Sequence, residues 1–305
     1  MSVKKFLIQR LTYFQRANKK KHVLECIAKK ESFENKDVIN IHRIDLNNVG
    51  DYFCAPHHYF EKLHGKALDI YDYKNPDEKV SNNFIEKINS NALIIGGGGI
   101  LNRSSFEKQM KLFENISQKG KKTVIWGAGH NEKNSKNFGK VTSYNVNLSK
   151  FGLVGIRDYN MGYEWVPCVS CLHPLLETKV SVTNEIGLIF HKKTLKNKAV
   201  LEKFKNYPST SNTTDIQTII NFIASTDTII TDSYHAMYWA MLMEKKVVVF
   251  PNSSKFFSFK YQPVFSDIDN FKTDLRKAQT YSGLLEECRT INHNFSQKVF
   301  DYLGK

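Results

Sequence analysis

The clearest structural signal in this sequence is a short apolar run that ends in four consecutive glycines, Ala92-Leu-Ile-Ile-Gly-Gly-Gly-Gly-Ile100. A few apolar residues bounded by glycine are typical of a buried strand that ends in a turn. Glycine loses much conformational entropy on folding, so we expect this turn to need unusual backbone angles or close approach by a ligand. The pattern matches neither a dinucleotide-binding motif nor a P-loop, and a tight strand-to-helix turn explains it equally well.

The same arrangement recurs along the first half of the chain. Asp37-Val-Ile-Asn-Ile-His42 predicts a first core strand, Thr123-Val-Ile-Trp126 a strand that ends at a second glycine turn, and residues 151–156 a further strand followed by Arg157 and Asp158. Helix-like segments separate these runs. Right-handed crossovers bring parallel strands back in the same direction, so we expect these strand ends to form one rim of a parallel sheet.

A second strand-helix series begins after Leu176, where the composition shifts. Its predicted elements are strands at 185–190, 228–230 and 246–250, a helix at 215–224, and a helical tail at about 284–303. The pattern therefore predicts an α/β protein with two domains, residues 37–176 and residues 177–305, which follow a basic extension at 1–36.

Thr231-Asp-Ser-Tyr-His235 joins the predicted strand at 228–230 to an apolar, helix-like segment. The amino end of a helix and a titratable imidazole in one place suit an anionic substrate. The alternative for His235 is a hydrogen-bonded structural histidine at a helix start. The loop 251–263 carries Lys255 and Lys260 beside serines and aromatic residues, a combination that can hold an anion against an apolar wall.

The end of the first predicted strand offers another part of a binding site. Asn48, Gly50 and Asp51 follow it, and Gly50 would let the backbone approach a sugar or phosphate closely. The simpler interpretation is that Asp51 caps the next helix by accepting hydrogen bonds from its first amides. The remaining candidate binding residues at strand ends are Gly97, Gly98, Gly99, Asn102 and His130.

The formal charge of +14 is concentrated at the start of the chain. Residues 1–30 contain nine Lys or Arg and one acid, interleaved with apolar residues at roughly helical spacing. Such a segment is expected either to lie on an anionic membrane surface or to form solvated helices packed on the protein body. No nucleic-acid motif is present, and we expect no nucleic-acid partner.

No apolar run is long enough to span a membrane, and the one at residues 6–8 is too short for a signal peptide. We therefore expect a cytoplasmic location; the membrane-surface alternative would place the protein peripherally on the inner face. The five cysteines do not form a disulfide framework. The lone pair Cys168 and Cys171 is interpreted as buried or loop thiols, and no metal is expected.

Five motifs taken together resemble the polysaccharide pyruvyl transferase family over roughly residues 38–265. They are Asn48-Val-Gly-Asp51, Ile95-Gly-Gly-Gly-Gly99, Trp126-Gly-Ala-Gly-His130, Val154-Gly-Ile-Arg157-Asp158 and Thr231-Asp-Ser-Tyr-His235. Each motif alone is weak, but the five in this order are fairly specific.

The resemblance implies a fold similar to GT-B glycosyltransferases, with two Rossmann-like domains facing an active-site cleft. It also implies transfer of a pyruvyl group from phosphoenolpyruvate to two hydroxyls of a polysaccharide or a lipid-linked oligosaccharide, with no cofactor. His235 matches the family's catalytic histidine and Arg157 an arginine that binds the donor. Tyr234 belongs to the same motif.

The sequence departs from the family pattern at Ser233, where well-known members carry an arginine that contacts the donor. We expect Lys255 or Lys260 to supply that charge. Two rival functions stay open at this point. One is a nucleotide-sugar glycosyltransferase on the same scaffold, because fold does not fix function. The other is a non-catalytic binding member of a polysaccharide assembly.

Overall fold

The structure is a computed structural model that describes residues 20–305. Residues 1–19, which carry much of the predicted basic segment, lie outside the described range. Within residues 20–305, no helix is both long enough and apolar enough to cross a membrane.

Two parallel sheets dominate the described residues. The first contains β1 Asp37–His42, β2 Ala67–Asp69, β3 Asn91–Ile95, β4 Gly98–Leu101, β5 Thr123–His130, β6 Leu153–Ile156 and β7 Glu164–Trp165. Its strand order is β2-β1-β3-β5-β6-β7, and β4 pairs with β5. All these pairings are parallel, so every strand of the sheet ends at the same edge.

The second sheet contains β8 Asn184–Phe190, β9 Ser209–Ser211, β10 Thr226–Thr231, β11 Lys246–Val249 and β12 Val264–Phe265. Its order is β12-β11-β10-β8-β9, again with parallel pairing throughout. The α/β class with two parallel sheets is thus confirmed. The closer likeness to a GT-B arrangement and the domain boundaries stay predictions.

The helices follow or precede the strands as crossovers. They are α1 at residues 20–28, α2 Val49–Phe53, α3 Glu78–Ser90, α4 Glu107–Ser117, α5 Lys198–Lys203, α6 Ile216–Ala224, α7 Tyr234–Leu242, α8 Phe271–Asp274 and α9 Leu284–Leu303. α6 begins where the Asp215 carboxylate accepts a hydrogen bond from the Thr218 amide, 2.9 Å away. All nine residues of α7 are buried, because one side of this helix packs on β10 and β11 and its other sides contact neighbouring helices.

The C-terminal helix α9 returns to the first sheet. Its buried Phe295 and Val299 belong to the same apolar cluster as Trp126 and Val166, on one face of that sheet. Trp126 also donates a hydrogen bond from Nε1 to the buried Asn292 of α9, at 3.0 Å. The tail therefore completes the core of the first sheet, although it follows the second sheet in the sequence.

Helix α1 packs on the body of the protein. Val23 and Ile27 are buried in the core that covers the opposite face of the first sheet, together with residues of β1, β3 and α4. For this part of the basic segment the structure agrees with the interpretation of a packed helix. The membrane-surface interpretation concerns mainly residues that lie outside the described range.

Candidate active site

A cavity of about 410 Å³ lies where the carboxyl ends of the two sheets face each other. Much of its lining comes directly after a strand, as with Arg43 after β1, Arg157 after β6, His191 after β8 and Asp232 after β10. The full lining is Arg43, Asp45, Asn48, Asp51, Cys54, Tyr71, Gly97, Gly98, Gly99, Ile100, Arg103, Phe106, Asn131, Lys133, Arg157, His191, Lys192, Lys193, Thr194, Asp232, His235, Asn252 and Lys255. Open α/β sheets bind ligands at this edge.

The two halves of the cavity are joined by direct polar contacts. The side-chain amide of Asn212 donates to Asn48 Oδ1 at 2.9 Å, and the Val49 amide donates to the Asn212 carbonyl at 3.0 Å. Lys192 and Asp45 form an ion pair of 2.5 Å across the same junction. These contacts hold α2 of the first half against the second sheet.

Positive charge exceeds negative charge in the cavity wall. Seven Lys or Arg line it against three Asp. Arg43 pairs with Asp69 and Lys192 with Asp45, whereas Lys133, Lys193 and Lys255 have no ion-pair partner among residues 20–305. A cavity with unpaired cations in its wall attracts an anionic ligand.

Arg157 is the most deeply buried of these cations, with only 1% of its surface exposed. Its Nε has no hydrogen-bond partner, Nη2 reaches the His130 carbonyl only at 3.4 Å, and Asp158 Oδ1 is 3.9 Å from Nε. The guanidinium carbon lies 4.3 Å from the centre of the Tyr234 ring. A buried, under-bonded guanidinium is costly by itself and is well suited to an oxyanion that enters the cavity.

His235 lies on the first turn of α7 and faces the cavity. Its Nε2 is 3.6 Å from Cys168 Sγ, and the Nδ1 side of the ring lies against Gly50 of α2. Burial, followed by the positive charges of Arg157 and Lys255, lowers the pKa of His235 well below its ordinary value. The free imidazole is therefore neutral near pH 7.

Lys255 follows β11 and shares the cavity with His235. Burial of its ammonium group, followed by the nearby charge of Lys133, lowers the pKa of Lys255 to about 7. Its Nζ lies 5.7 Å from the centre of the Tyr234 ring, the same ring that Arg157 covers. Arg157 and Lys255 thus flank one aromatic residue and can act on one anionic ligand.

The glycine turn is crowded by the protein itself. A Cβ atom at Gly97 would lie 2.1 Å from the Cys54 carbonyl oxygen, and one at Gly99 would lie 3.0 Å from Arg157 Nη2. Gly98 has a φ of +86°, which side chains rarely adopt. Gly97, Gly98 and Gly99 also line the cavity, so the turn lets backbone rather than side chains form this part of the wall.

His130 lies behind the cavity wall and fixes the loop that carries Lys255. Its Nδ1 is 2.6 Å from Ser254 Oγ and its Nε2 is 2.8 Å from Ser258 Oγ. The His130 amide donates to Asp158 Oδ2 at 2.7 Å. The strand end of β5 is therefore tied both to the residue after Arg157 and to the Lys255 loop.

The structure brings most of the predicted site residues together. His235, Arg157, Lys255, Asn48, Asp51, Gly97, Gly98 and Gly99 line the cavity, while Gly50, Ser233, Tyr234 and His130 are buried next to it. Two lie elsewhere. Lys260 pairs with Glu287 of α9, and Asn102 bonds to the Ser143 carbonyl at 2.8 Å and to Asn145.

The capping role considered for Asp51 is wrong. Asp51 is the third residue of α2, and the residue before that helix, Asn48, makes no side-chain capping bond. Instead Asn48 Nδ2 donates to Asp51 Oδ2 at 2.6 Å, and both residues line the cavity. Their placement matches the alternative that they line a cleft.

Sequence reasoning missed several cavity residues, among them Arg103, Asn131, Lys133 and Asp232. Asp232 follows β10 directly, so the strand-end rule could have found it. Burial raises the pKa of its carboxyl, which accepts hydrogen bonds from the His191 amide at 2.6 Å and from Thr194. Arg103 and Lys133 lie in loops whose course the sequence does not reveal.

Cys168 and Cys171 are buried free thiols. A different group can hold a metal ion, although the sequence predicted no metal. In the described part of the chain it consists of His42, His57 and His58, none of which lines the cavity.

The fold and the cavity define a class: an α/β protein with a cleft, lined by more cationic than anionic side chains, at the carboxyl ends of two parallel sheets. The family model described as "Polysaccharide pyruvyl transferase" matches residues 31–254, most of the chain. The chain belongs to the polysaccharide pyruvyl transferase family, which confirms the resemblance and makes the protein a transferase. A search of curated proteins found no match.

Proposed function

We propose that this protein transfers a pyruvyl group from phosphoenolpyruvate to two hydroxyls of one sugar residue, forming a pyruvate ketal on a polysaccharide or its lipid-linked precursor. The observation that carries the proposal is the buried guanidinium of Arg157, whose Nε lacks a partner and which shares the cavity with Lys255 and His235. The family match supports pyruvyl transfer in general.

The donor's two anionic groups fit the two kinds of cation in this cavity. Arg157 offers a planar fork for a carboxylate or a phosphate, and Lys255 offers a point charge. Lys255 lines the cavity and Lys260 does not, so the charge that Ser233 lacks is assigned to Lys255. Lys133 and Arg103 add positive charge to the same wall.

In the proposed reaction two bonds at C2 of the donor break, the π bond to the methylene carbon and the bond to the phosphate oxygen, and two bonds from C2 to acceptor oxygens form. The methylene carbon gains a proton and becomes the methyl group, one hydroxyl oxygen of the acceptor attacks C2, and the second displaces phosphate from C2. Of the two hydroxyl protons, one balances the new C–H bond and the other leaves with phosphate. Positive charge beside C2 favours both the departing phosphate and the donor carboxylate.

His235 is proposed as the acid/base group. The free imidazole is neutral, so it can take the proton of the acceptor hydroxyl. A bound donor with several negative charges stabilises the resulting imidazolium, which can pass its proton to the methylene carbon. One side chain would then serve as base and acid in succession.

A nucleotide-sugar glycosyltransferase is the second candidate, because the seven cations in the wall could also hold a diphosphate. Isothermal titration with phosphoenolpyruvate, a nucleoside diphosphate and a nucleotide sugar separates the two. We expect phosphoenolpyruvate to bind and to raise the melting temperature. Binding of the nucleotide ligands, with no binding of phosphoenolpyruvate, would overturn the proposal.

We also propose that the basic start of the chain contacts an anionic membrane surface, which would place a lipid-linked acceptor within reach. The test should delete residues 1–19 only, because Val23 and Ile27 are buried in the core. The shortened protein should lose binding to vesicles that contain anionic lipid. Unchanged vesicle binding would contradict this part of the proposal.

A further inference from the structure

Three histidines meet beside the carboxyl end of β1, outside the donor cavity. His42 is the last residue of β1 and is fully buried, whereas His57 and His58 are half-buried in the short helical turn Pro56–His58. His42 Nε2 lies 3.1 Å from His57 Nε2. One ring nitrogen from each of the three histidines lies within 4.8 Å of the other two.

We propose that His42, His57 and His58 form a binding site for a divalent transition-metal ion, with zinc as the expected occupant. Tetrahedral zinc with Zn–N bonds of about 2.0–2.1 Å holds its nitrogen ligands about 3.3 Å apart. The separation between His42 and His57 is already close to that value. The His58 nitrogen lies within 4.8 Å of the other two, so an adjustment of its side chain would complete a three-nitrogen face.

The ligand chemistry selects this class of metal. The group contains three imidazoles and no carboxylate, a set that suits zinc, copper or nickel and not magnesium or calcium. Three histidines leave a fourth position for water or another external ligand. Because His57 and His58 are partly exposed, that position can be reached from solvent.

The ring nitrogens of His42 and His57 make few hydrogen bonds to other groups. Without a metal, two neutral imidazoles share a single hydrogen bond between their Nε2 atoms, and His42 Nδ1 makes no bond of normal geometry, although the Asp51 backbone lies near its ring.

Neighbouring groups hold the His58 ring and the backbone of His57 in place. His58 Nε2 lies 2.8 Å from the Tyr52 carbonyl and donates to it in the tautomer that leaves Nδ1 free for a metal. The His57 amide donates to Asn40 Oδ1 at 3.2 Å, and Asn40 Nδ2 donates to the Gly96 carbonyl at 2.7 Å. The histidine turn is therefore fixed to β1 and to the glycine turn at once.

The site is separate from the proposed chemistry but adjoins the cavity wall. Arg43 follows His42 directly, and Cys54 lies three residues before His57; both line the cavity. A bound ion would cross-link the end of β1 to the segment after α2. Its expected effect is to stabilise the folded protein, whichever donor the cavity accepts.

The test uses the full chain without a polyhistidine tag, freed of metal by a chelator. Isothermal titration calorimetry with Zn²⁺ should give a stoichiometry of one ion per chain. In a separate thermal unfolding experiment, bound Zn²⁺ should raise the melting temperature by a few degrees. His57→Gln and His58→Gln should each weaken zinc binding by at least about 100-fold. His64→Gln is the matched control, since His64 lies in the same segment but outside the group, and it should bind zinc as the wild type does.

The melting temperature of each variant, measured in the presence of chelator, shows whether that variant is folded. His57 and His58 are chosen for substitution because they are half-buried, whereas His42 is fully buried. Equal zinc affinity in the wild type, His57→Gln and His58→Gln would overturn the proposal. Absence of stoichiometric zinc binding to the folded wild type would do so as well. Neither outcome depends on whether phosphoenolpyruvate binds in the cavity.

Discussion

Gly50 of α2 lies directly against the ring of His235 in α7. A Cβ atom at position 50 would be 2.3 Å from His235 Nδ1 and 2.6 Å from its Cβ, which is closer than such atoms can approach. The contact joins the two halves of the cavity at the proposed acid/base group. Glycine at position 50 is therefore needed for the placement of the imidazole.

Gly50→Ala should push the His235 ring out of position. We expect turnover to fall at least tenfold, because small displacements of a catalytic group are costly. We also expect a loss of about 1–3 kcal/mol in the free energy of unfolding from overpacking. The measurement is phosphate release per folded molecule, with stability from urea unfolding.

Gly187→Ala is the matched control for that substitution. A Cβ atom at position 187 would lie 2.7 Å from the Phe222 ring, so this position is crowded as well. Gly187 lies in β8, away from the cavity lining. The Gly187→Ala variant should therefore lose stability and keep its turnover. Full turnover in Gly50→Ala would contradict the proposed placement of His235.

Arg157→Lys tests the fork that the buried guanidinium presents to the donor. A lysine keeps the charge but cannot make two parallel hydrogen bonds, so we expect phosphoenolpyruvate affinity to fall by about 10-fold to 100-fold. Titration calorimetry measures it. Arg289→Lys is the control, because Arg289 is also largely buried but bonds to the Cys171 carbonyl at 3.1 Å, outside the cavity. Equal losses in both variants would mean a general effect on the fold.

Lys255→Met should change how stability depends on pH. The pKa of Lys255 is about 7 in the folded protein and about 10.5 when unfolded, so between these values the unfolded chain binds more protons. The burial penalty on charged Lys255 is therefore complete below pH 7 and is relieved as pH rises toward 10.5. Because the Lys255 side chain is partly exposed, we expect the free energy of unfolding of Lys255→Met to exceed that of the wild type by only on the order of 1–3 kcal/mol at pH 6. The difference should be smaller at pH 9.

Lys260→Met provides the comparison for Lys255→Met. Hydrogen bonding to Glu287 raises the pKa of Lys260 above its ordinary value, so its charge does not change between pH 6 and pH 9. Urea unfolding at both pH values should show no pH-dependent difference from wild type. The same pair of variants tests donor binding, where Lys255→Met should weaken phosphoenolpyruvate affinity and Lys260→Met should not.

Phe295→Ala tests whether helix α9 is part of the core of the first sheet. Phe295 is fully buried, its ring centre is 5.4 Å from that of Trp126, and it packs against Gly155 of β6. Its truncation should lower the free energy of unfolding by about 3–5 kcal/mol. His293→Ala, an exposed position on the same helix, should change it by less than about 0.5 kcal/mol. Similar values for the two variants would show that α9 is only loosely attached.

Apolar periodicity predicted several of the regular elements well. β1 Asp37–His42 and α9 Leu284–Leu303 have the predicted bounds, because each is a strongly patterned segment with clear ends. The glycine turns were less predictable. β5 continues through Gly127 to His130, since pairing with β4 and β6 extends the strand past its first glycine.

The candidate site was predictable where it depends on strand ends and not where it depends on docking. Arg157 and His235 come after strands of different sheets, so the parallel topology places each at the carboxyl edge of its own sheet. That both line one cavity depends on how the two sheets face each other. The choice between Lys255 and Lys260 depends on where α9 lies, because Glu287 of that helix holds Lys260. The meeting of His42 with His57 likewise depends on the irregular course of residues 54–66, for which the sequence has no periodic signal.

The central claim is pyruvyl transfer at His235, and labelled donor tests it most directly. Phosphoenolpyruvate carrying ¹³C at the methylene carbon is incubated with the protein and with glycan and lipid-linked oligosaccharide fractions from the source cells, and the label is followed by NMR. We predict that it appears as the methyl group of a glycan-bound ketal with equimolar phosphate, and that His235→Ala abolishes this product. A glycan that stays unlabelled, while the same fractions accept sugar from a nucleotide sugar, would contradict the account.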